Sequence, residues 1–370
     1  MSLNTALFFT ETDIAGLRLA NRLAVAPMTR VSATEDGHAN ETMVRYYERF
    51  ARGGFGLVIT EGIYTDQAFS QGYRFQPGLS DEAQARAWIP VVDAIRSNGA
   101  VAVAQLMHAG AISQGNRFRD TSAGPSAIQP KGKQMVFYYG NDVYKTPVAM
   151  TDAQIADAIA DFGQAASRAI GTAGFNAVEI HGANGYLLDQ FLTDYTNARG
   201  DRWGGDTKGR VELPLSVLKE VRRAVGPSVP VGIRISQGKV NDYFHKWHGG
   251  EQDAETIFGT LDDAGVDYIH VTEFEAWKPA FGETGPTLVE LARKYAPNAR
   301  IIANGGLHDL ENAKAVLEAG ADIITLGRGA LANPDLPNRL AVQEPLREFD
   351  PVILGPIANV KDSELALMTK

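Results

Sequence analysis

Eight short apolar, largely β-branched runs recur along this chain, each followed by a stretch of helical character. That alternation restricts the possible folds more than any other feature. The runs are residues 22–27, 57–61, 101–105, 177–181, 231–235, 268–272, 301–304 and 323–327. Helix-type patterning occupies residues 42–52, 81–97, 152–172, 211–225, 253–264, 287–295 and 310–319. Nearly continuous apolar strands belong to parallel sheets covered on their faces, and eight strand–helix units predict an α/β fold closed into a (β/α)₈ TIM barrel. A doubly wound open sheet is the alternative. Its nucleotide-binding form requires a Gly-x-Gly-x-x-Gly after an early strand, whereas Gly53-Gly54-Phe55-Gly56 precedes one. Residues 7–20 are expected to form a hairpin under the barrel floor. Residues 107–150, rich in Gly, Pro, Gln and Tyr, form a long segment after the third strand and are expected to cap the mouth. Barrels run past about 250 residues as one domain, so residues 1–370 read as a single barrel domain carrying that insertion.

Composition excludes several chemistries. The chain has no cysteine, which removes disulfides, thiolate nucleophiles, thiolate-bound zinc and iron–sulfur clusters. A net charge of −9 argues against nucleic-acid or anionic-membrane partners, which select clustered Lys and Arg. No apolar run is long enough to span a bilayer, and Met1-Ser-Leu-Asn-Thr lacks a basic leader pattern, so a cytoplasmic location is expected.

In a barrel, chemistry collects at the carboxyl ends of the strands. Here those ends read Pro27-Met28-Thr29, Glu61-Gly62, Gln105, His181, Arg234, Asn304-Gly305-Gly306 and Gly327-Arg328. Each has a bland reading as a cap, an ion pair or a turn, but seven polar or glycine ends together favour a site. Gly305-Gly306 and Gly327-Arg328 match the phosphate site often built after the last two strands. Thr29, Gln105 and Arg234 would then face a planar, acceptor-rich heterocycle that gains negative charge on reduction; flavin mononucleotide (FMN) fits, with one phosphate site and no second nucleotide module. After the fourth strand, His181-Gly-Ala-Asn184-Gly-Tyr186 places two donors and a phenolic acid within six residues, a set suited to an electron-poor substrate.

The chain resembles the Old Yellow Enzyme family of FMN-dependent ene-reductases over essentially its full length. The resemblance rests on residues 21–30 (NRLAVAPMTR), on residues 181–186 (HGANGY) running into 189–192 (DQFL), and on residues 197–205 (NARGDRWGG) with Arg210. It implies tightly but non-covalently bound FMN and NADH or NADPH as co-substrate. The implied acceptors are enones, maleimides or nitro compounds, with phenols as ligands. It also implies that Thr29 lies near flavin C4=O and N5, that Gln105 and Arg234 hold the pyrimidine edge, and that Gly62 lets the ring approach backbone. His181 and Asn184 would grip the substrate oxygen, and Tyr186 would donate a proton. Some relatives carry a second histidine where this chain has Asn184, and others a cysteine where it has Thr29. Relatives with a cysteine-bound iron–sulfur cluster are excluded. No match is found to the carboxyl-terminal arginine that some relatives insert into a neighbouring site.

Other signals read as structural. His245-Lys-Trp-His248 has a metal-like spacing but no assembled third ligand, so a loop feature is expected and no metal site. Phe137, Tyr138, Tyr139, Phe244, Trp247 and Trp277 either line the substrate mouth or pack their own loops. A non-catalytic flavin-binding protein is one alternative function. A phosphate-binding aldolase-like barrel is another, but it needs a strand-end lysine, and none of the expected strands ends in one.

Overall fold

The computed structural model describes residues 5–368. All eight expected runs are strands: β1 Leu23–Val25, β2 Leu57–Ile59, β3 Val101–Met107, β4 Ala177–Asn184, β5 Val231–Lys239, β6 Tyr268–Thr272, β7 Arg300–Asn304 and β8 Ile323–Leu326. Each pairs in parallel with the next and β8 pairs with β1, so the sheet closes into a (β/α)₈ barrel. The helices α1 Glu41–Arg52, α2 Ile89–Ser97, α3 Asp152–Gly171, α4 Glu212–Val225, α5 Glu251–Asp263, α6 Leu288–Tyr295 and α7 Leu310–Glu318 follow their strands. Capping chemistry sets several starts: Thr151 with Gln154 and Thr287 with Glu290 form reciprocal capping boxes, and Asn40 and Asp309 accept first-turn amides. The single helix expected over 81–97 is broken into Glu82–Ala87 and α2, because Pro90 has no N–H to donate and is tolerated only in a first turn.

Side chains alternate along a strand, so every second residue points into the barrel. At the floor those residues are apolar. Thr12–Ile14 and Leu17–Leu19 form the expected antiparallel hairpin, and its Ile14 and Leu19 pack with Ala24, Leu57, Ile59, Val103, Ala177, Ile302 and Ile323 to close the bottom. Over the mouth, the segment between β3 and α3 is tied by a short parallel pairing of Ala123–Gly124 with Val148–Ala149 and carries a 3₁₀ turn at Val136–Tyr138. Met1 to Asn4, part of the basis for the expected location, lie outside the described residues. Among the described residues no helix is long and apolar enough to cross a membrane.

One strand differs from expectation in a way that bears on function. β5 continues past Ile235 and ends at Lys239, with a register shift against β4, so a strand does end in lysine. Its ammonium is buried 2.9 Å from both carboxylate oxygens of Asp189, which also accepts the Gly185 amide at 2.6 Å. Burial pushes the Asp189 carboxyl up and Lys239 opposes it. The pair fastens the loop after β4 to the end of β5. Removing one partner strands a buried charge, so Lys239→Met should cost roughly 3–5 kcal/mol, while Asp189→Leu combined with Lys239→Met should recover most of the loss. Denaturant unfolding of the two variants checks this; a single mutant as stable as wild type would show that the pair fastens nothing.

Candidate active site

The strand ends converge on a cavity of about 300 Å³ at the barrel mouth, lined by Pro27, Met28, Thr29, Gly62, Gln105, His181, Asn184, Tyr186 and Arg234 among others. A second lobe of about 340 Å³ is lined by Asn304, Gly305 and Gly306, and Gly327 and Arg328 border both lobes. Every site residue expected from the sequence therefore falls in one two-lobed cavity.

Arg234 is the cation of the first lobe. Its Nη2 donates to Thr272 Oγ1 at 3.1 Å and to Asn304 Oδ1 at 2.9 Å, and its buried Nε has no protein partner. Burial lowers its pKa to about 10, so it stays charged at neutral pH. Asn304 also accepts from Thr272 Oγ1 and donates to the Thr325 carbonyl. Its side-chain oxygen is thus committed to orienting Arg234, while its nitrogen has one N–H beyond the Thr325 bond.

His181 is 3% exposed, and burial, then Arg234 and His270, hold its pKa well below the imidazole range. It is neutral, and its Nδ1 is buried without a protein partner. Asn184 adopts φ +62°, a left-handed conformation that asparagine tolerates better than most residues, and its amide is held by Ser236 Oγ at 2.8 Å. Tyr186 stands edge-on to His181 with ring centroids 4.8 Å apart. Its hydroxyl lies 2.6 Å from that of Tyr73, and burial raises its pKa to about 12.

The second lobe suits a phosphate. Gly305, at φ +134°, has no room for a side chain, since a Cβ would lie 2.0 Å from the Glu273 carbonyl oxygen. At Gly327 a Cβ would meet nothing closer than Met28 Sδ at 3.6 Å, so packing against the protein does not demand glycine there and the space is left open. Arg328 is exposed and joins no ion pair among the described residues, whereas the nearby Glu273 is taken by Lys246 and Glu275 by Lys278. A free cation beside open glycine backbone, joined to a cavity with an unpartnered guanidinium Nε, fits FMN in both its phosphate and its ring.

Sequence reasoning missed several residues. Tyr73, on the loop after β2, has no motif or strand position to mark it. Met107, Met135, Val240, Tyr243, Leu331 and Leu354 supply the apolar walls. Of the aromatics left open, Phe137 and Tyr138 line the first lobe, and the Tyr138 hydroxyl donates to the Thr29 carbonyl at 3.1 Å. Trp277 lines the second lobe. Trp247 is buried against Phe258, Tyr139 packs on Phe75, Phe244 is 91% exposed, and His245 stacks on Tyr195.

A family model described as the NADH:flavin oxidoreductase / NADH oxidase family matches residues 8–347. An NADH oxidase from Thermoanaerobacter brockii is 31% identical over 90% of this chain, which spans only 50% of that protein. The solved structure of an old yellow enzyme homologue from Zymomonas mobilis superposes with a TM-score of 0.86 at 29% identity, covering 97% of this chain and 98% of that one. Morphinone reductase in complex with tetrahydroNAD gives 0.82 at 31% identity, covering 94% and 93%.

If Arg328 holds the phosphate by charge-assisted hydrogen bonds, Arg328→Ala should fold normally yet bind FMN about tenfold or more weakly. Titration of the apoprotein with FMN measures this. An unchanged dissociation constant would remove the arginine from the phosphate site.

Proposed function

The chain belongs to the NADH:flavin oxidoreductase / NADH oxidase family, that of the FMN-dependent Old Yellow Enzymes, and on that premise we propose that it reduces activated C=C bonds of α,β-unsaturated carbonyl or nitro compounds at the expense of NADH or NADPH. The observation that carries this reading is the partnerless Nδ1 of a neutral His181 beside the Tyr186 phenol, in the cavity that also holds Arg234. FMN held by the residues of both lobes would supply the redox chemistry, hydride transfer between the nicotinamide and the substrate carbon.

The protein residues act around that transfer. His181 and Asn184 donate to the activating oxygen, where negative charge grows in the transition state, so they stabilise that state more than the ground state. Tyr186 delivers the proton to Cα. With its hydrogen bond to Tyr186, Tyr73 can donate to the Tyr186 oxygen, which leaves the Tyr186 hydrogen free for substrate and stabilises the phenolate it leaves behind. Pro27, Met28, Thr29, Gly62, Gln105 and Arg234 form the bed for the ring, and Gly305, Gly306, Gly327 and Arg328 the cradle for the phosphate, with Asn304 holding Arg234 in place. The aldolase-like alternative is disfavoured for a new reason: Lys239, although at a strand end, is locked to Asp189 and does not line the cavity. A flavin-binding protein without turnover would stay yellow when NADH or NADPH is added without oxygen.

Tyr186→Phe should slow alkene reduction by about 10² or more while leaving flavin reduction by NAD(P)H untouched. Because Tyr186 remains protonated up to about 12 and His181 remains neutral, the wild-type oxidative half-reaction should be flat between roughly pH 6 and 9. Stopped-flow measurement of each half-reaction separates these effects; equal slowing of both would sink the assignment.

The two donors provide a second test. Converging on one oxygen, they favour its charged form, so para-substituted phenols should bind as phenolates and give a long-wavelength charge-transfer band over oxidised flavin. His181→Ala should weaken the band and raise the dissociation constant by about tenfold or more, the worth of a charge-assisted hydrogen bond. No band at saturating phenol, or equal binding by the variant, would reject His181 and Asn184 as the oxygen-binding pair.

A further inference from the structure

One layer below the ring-facing side chains, the barrel carries buried polar groups that the proposed reaction does not touch. Glu179 on β4 is fully buried. Its Oε1 accepts from Gln105 Nε2 at 2.7 Å, and its Oε2 lies 2.9 Å from His270 Nδ1. His270 Nε2 in turn lies 2.9 Å from Thr325 Oγ1. The next layer down is apolar except for the buried Tyr268 hydroxyl, so barrel packing does not itself require a carboxylate here. Burying one is costly unless it is fully bonded.

What the carboxylate determines is the direction of an amide. Burial alone would raise the Glu179 carboxyl, but His270 and Arg234 outweigh it and hold it below the usual range. Burial lowers the His270 pKa, its Nδ1–H donates to Glu179, and its Nε2 lies against the Thr325 hydroxyl, which also has the Ala303 carbonyl as an acceptor at 3.2 Å. An ionised carboxylate can only accept. Gln105 must therefore turn its nitrogen down to Glu179 and its oxygen away, on the side where it lines the cavity. The pyrimidine edge of a flavin presents oxygen, N3–H, oxygen. Arg234 can only donate, so the N3–H requires an acceptor, and the Gln105 oxygen is the group left to serve. Glu179 is also the carboxylate whose field favours the charged form of Arg234.

We propose that Glu179 is a positioning residue for the cofactor: it fixes the Gln105 amide with its oxygen toward flavin N3–H, and its charge balances the buried Arg234, keeping the reduction potential of the bound flavin lower than an uncharged residue would. The proposal rests on the FMN reading of the site. It assigns Glu179 no contact with substrate or flavin.

The test uses FMN and 3-deaza-FMN, which carries C–H in place of N3–H. Wild type should bind FMN about tenfold or more tightly than the analogue, the worth of one hydrogen bond. Glu179→Gln can pair with either face of the Gln105 amide, so its preference should fall to within about threefold, and the midpoint potential of its bound flavin should move positive. Glu179→Asp keeps the charge but is one methylene too short to reach Gln105, so it should lose the preference with less change in potential. Equal wild-type binding of the two flavins, read without any variant, overturns the proposal. So does a Glu179→Gln protein with wild-type preference and potential. Whether wild type binds FMN at all tests the underlying function separately.

Discussion

The site depends on one buried cation. Arg234 projects into the barrel from β5, almost without solvent, and a guanidinium there is tolerable only if its hydrogen bonds and its charge are answered. Thr272 and Asn304 answer one end of it, and the field of Glu179 answers part of the charge. The Nε remains unanswered within the protein. A buried donor without a partner costs free energy that a bound acceptor, such as a ring that becomes anionic on reduction, would return.

This arrangement follows from the geometry of strands. The inward residues change character with height: an apolar floor closed by Ile14 and Leu19, then Glu179, His270 and Thr325, then His181, Arg234 and Asn304 at the mouth. In a closed parallel barrel one layer is filled from alternate strands, and Glu179, His270 and Thr325 come from β4, β6 and β8. Polar groups two positions apart along one strand therefore fall into separate rings, each bonded within itself and to the ring above. Gln105 joins the rings, since it lines the cavity and donates down to Glu179.

The same geometry explains what was legible in the sequence. The barrel could be read because buried parallel strands are apolar and short, and the strand-end residues could be read because the fold fixes where chemistry lies. Glu179, His270 and Thr325 were overlooked although they carried a signal: each sits two residues before a mouth-level residue, His181, Thr272 or Gly327, and so shares its inward face. Parity along the strand would have found them. Lys239 was missed because a register shift lengthened β5, and a shift of that kind leaves no mark in apolar periodicity. Tyr73 could not be found, because its place beside Tyr186 is set by a loop whose path depends on tertiary packing.

That difference between strands and loops bears on how the proposed acid is held. His181 sits on β4 and Arg234 on β5, within the ladder of the barrel, whereas Tyr186 lies beyond β4 on a turn through Asn184 at φ +62° and Gly185. Such a turn has alternatives, and a phenol on it could leave the cavity. The Asp189–Lys239 pair holds the Gly185 amide, Gln190 Nε2 donates to the Gly185 carbonyl at 2.7 Å, and Gln190 Oε1 accepts the Ala111 amide at 2.9 Å from the opposite loop. The Tyr73 hydroxyl closes the set from a third segment. The acid is thus fixed by converging contacts from loops where the oxygen-binding histidine is fixed by the sheet. This is why the residues that steady Tyr186 are scattered through the chain, while those that steady Arg234 lie on the two strands that follow its own.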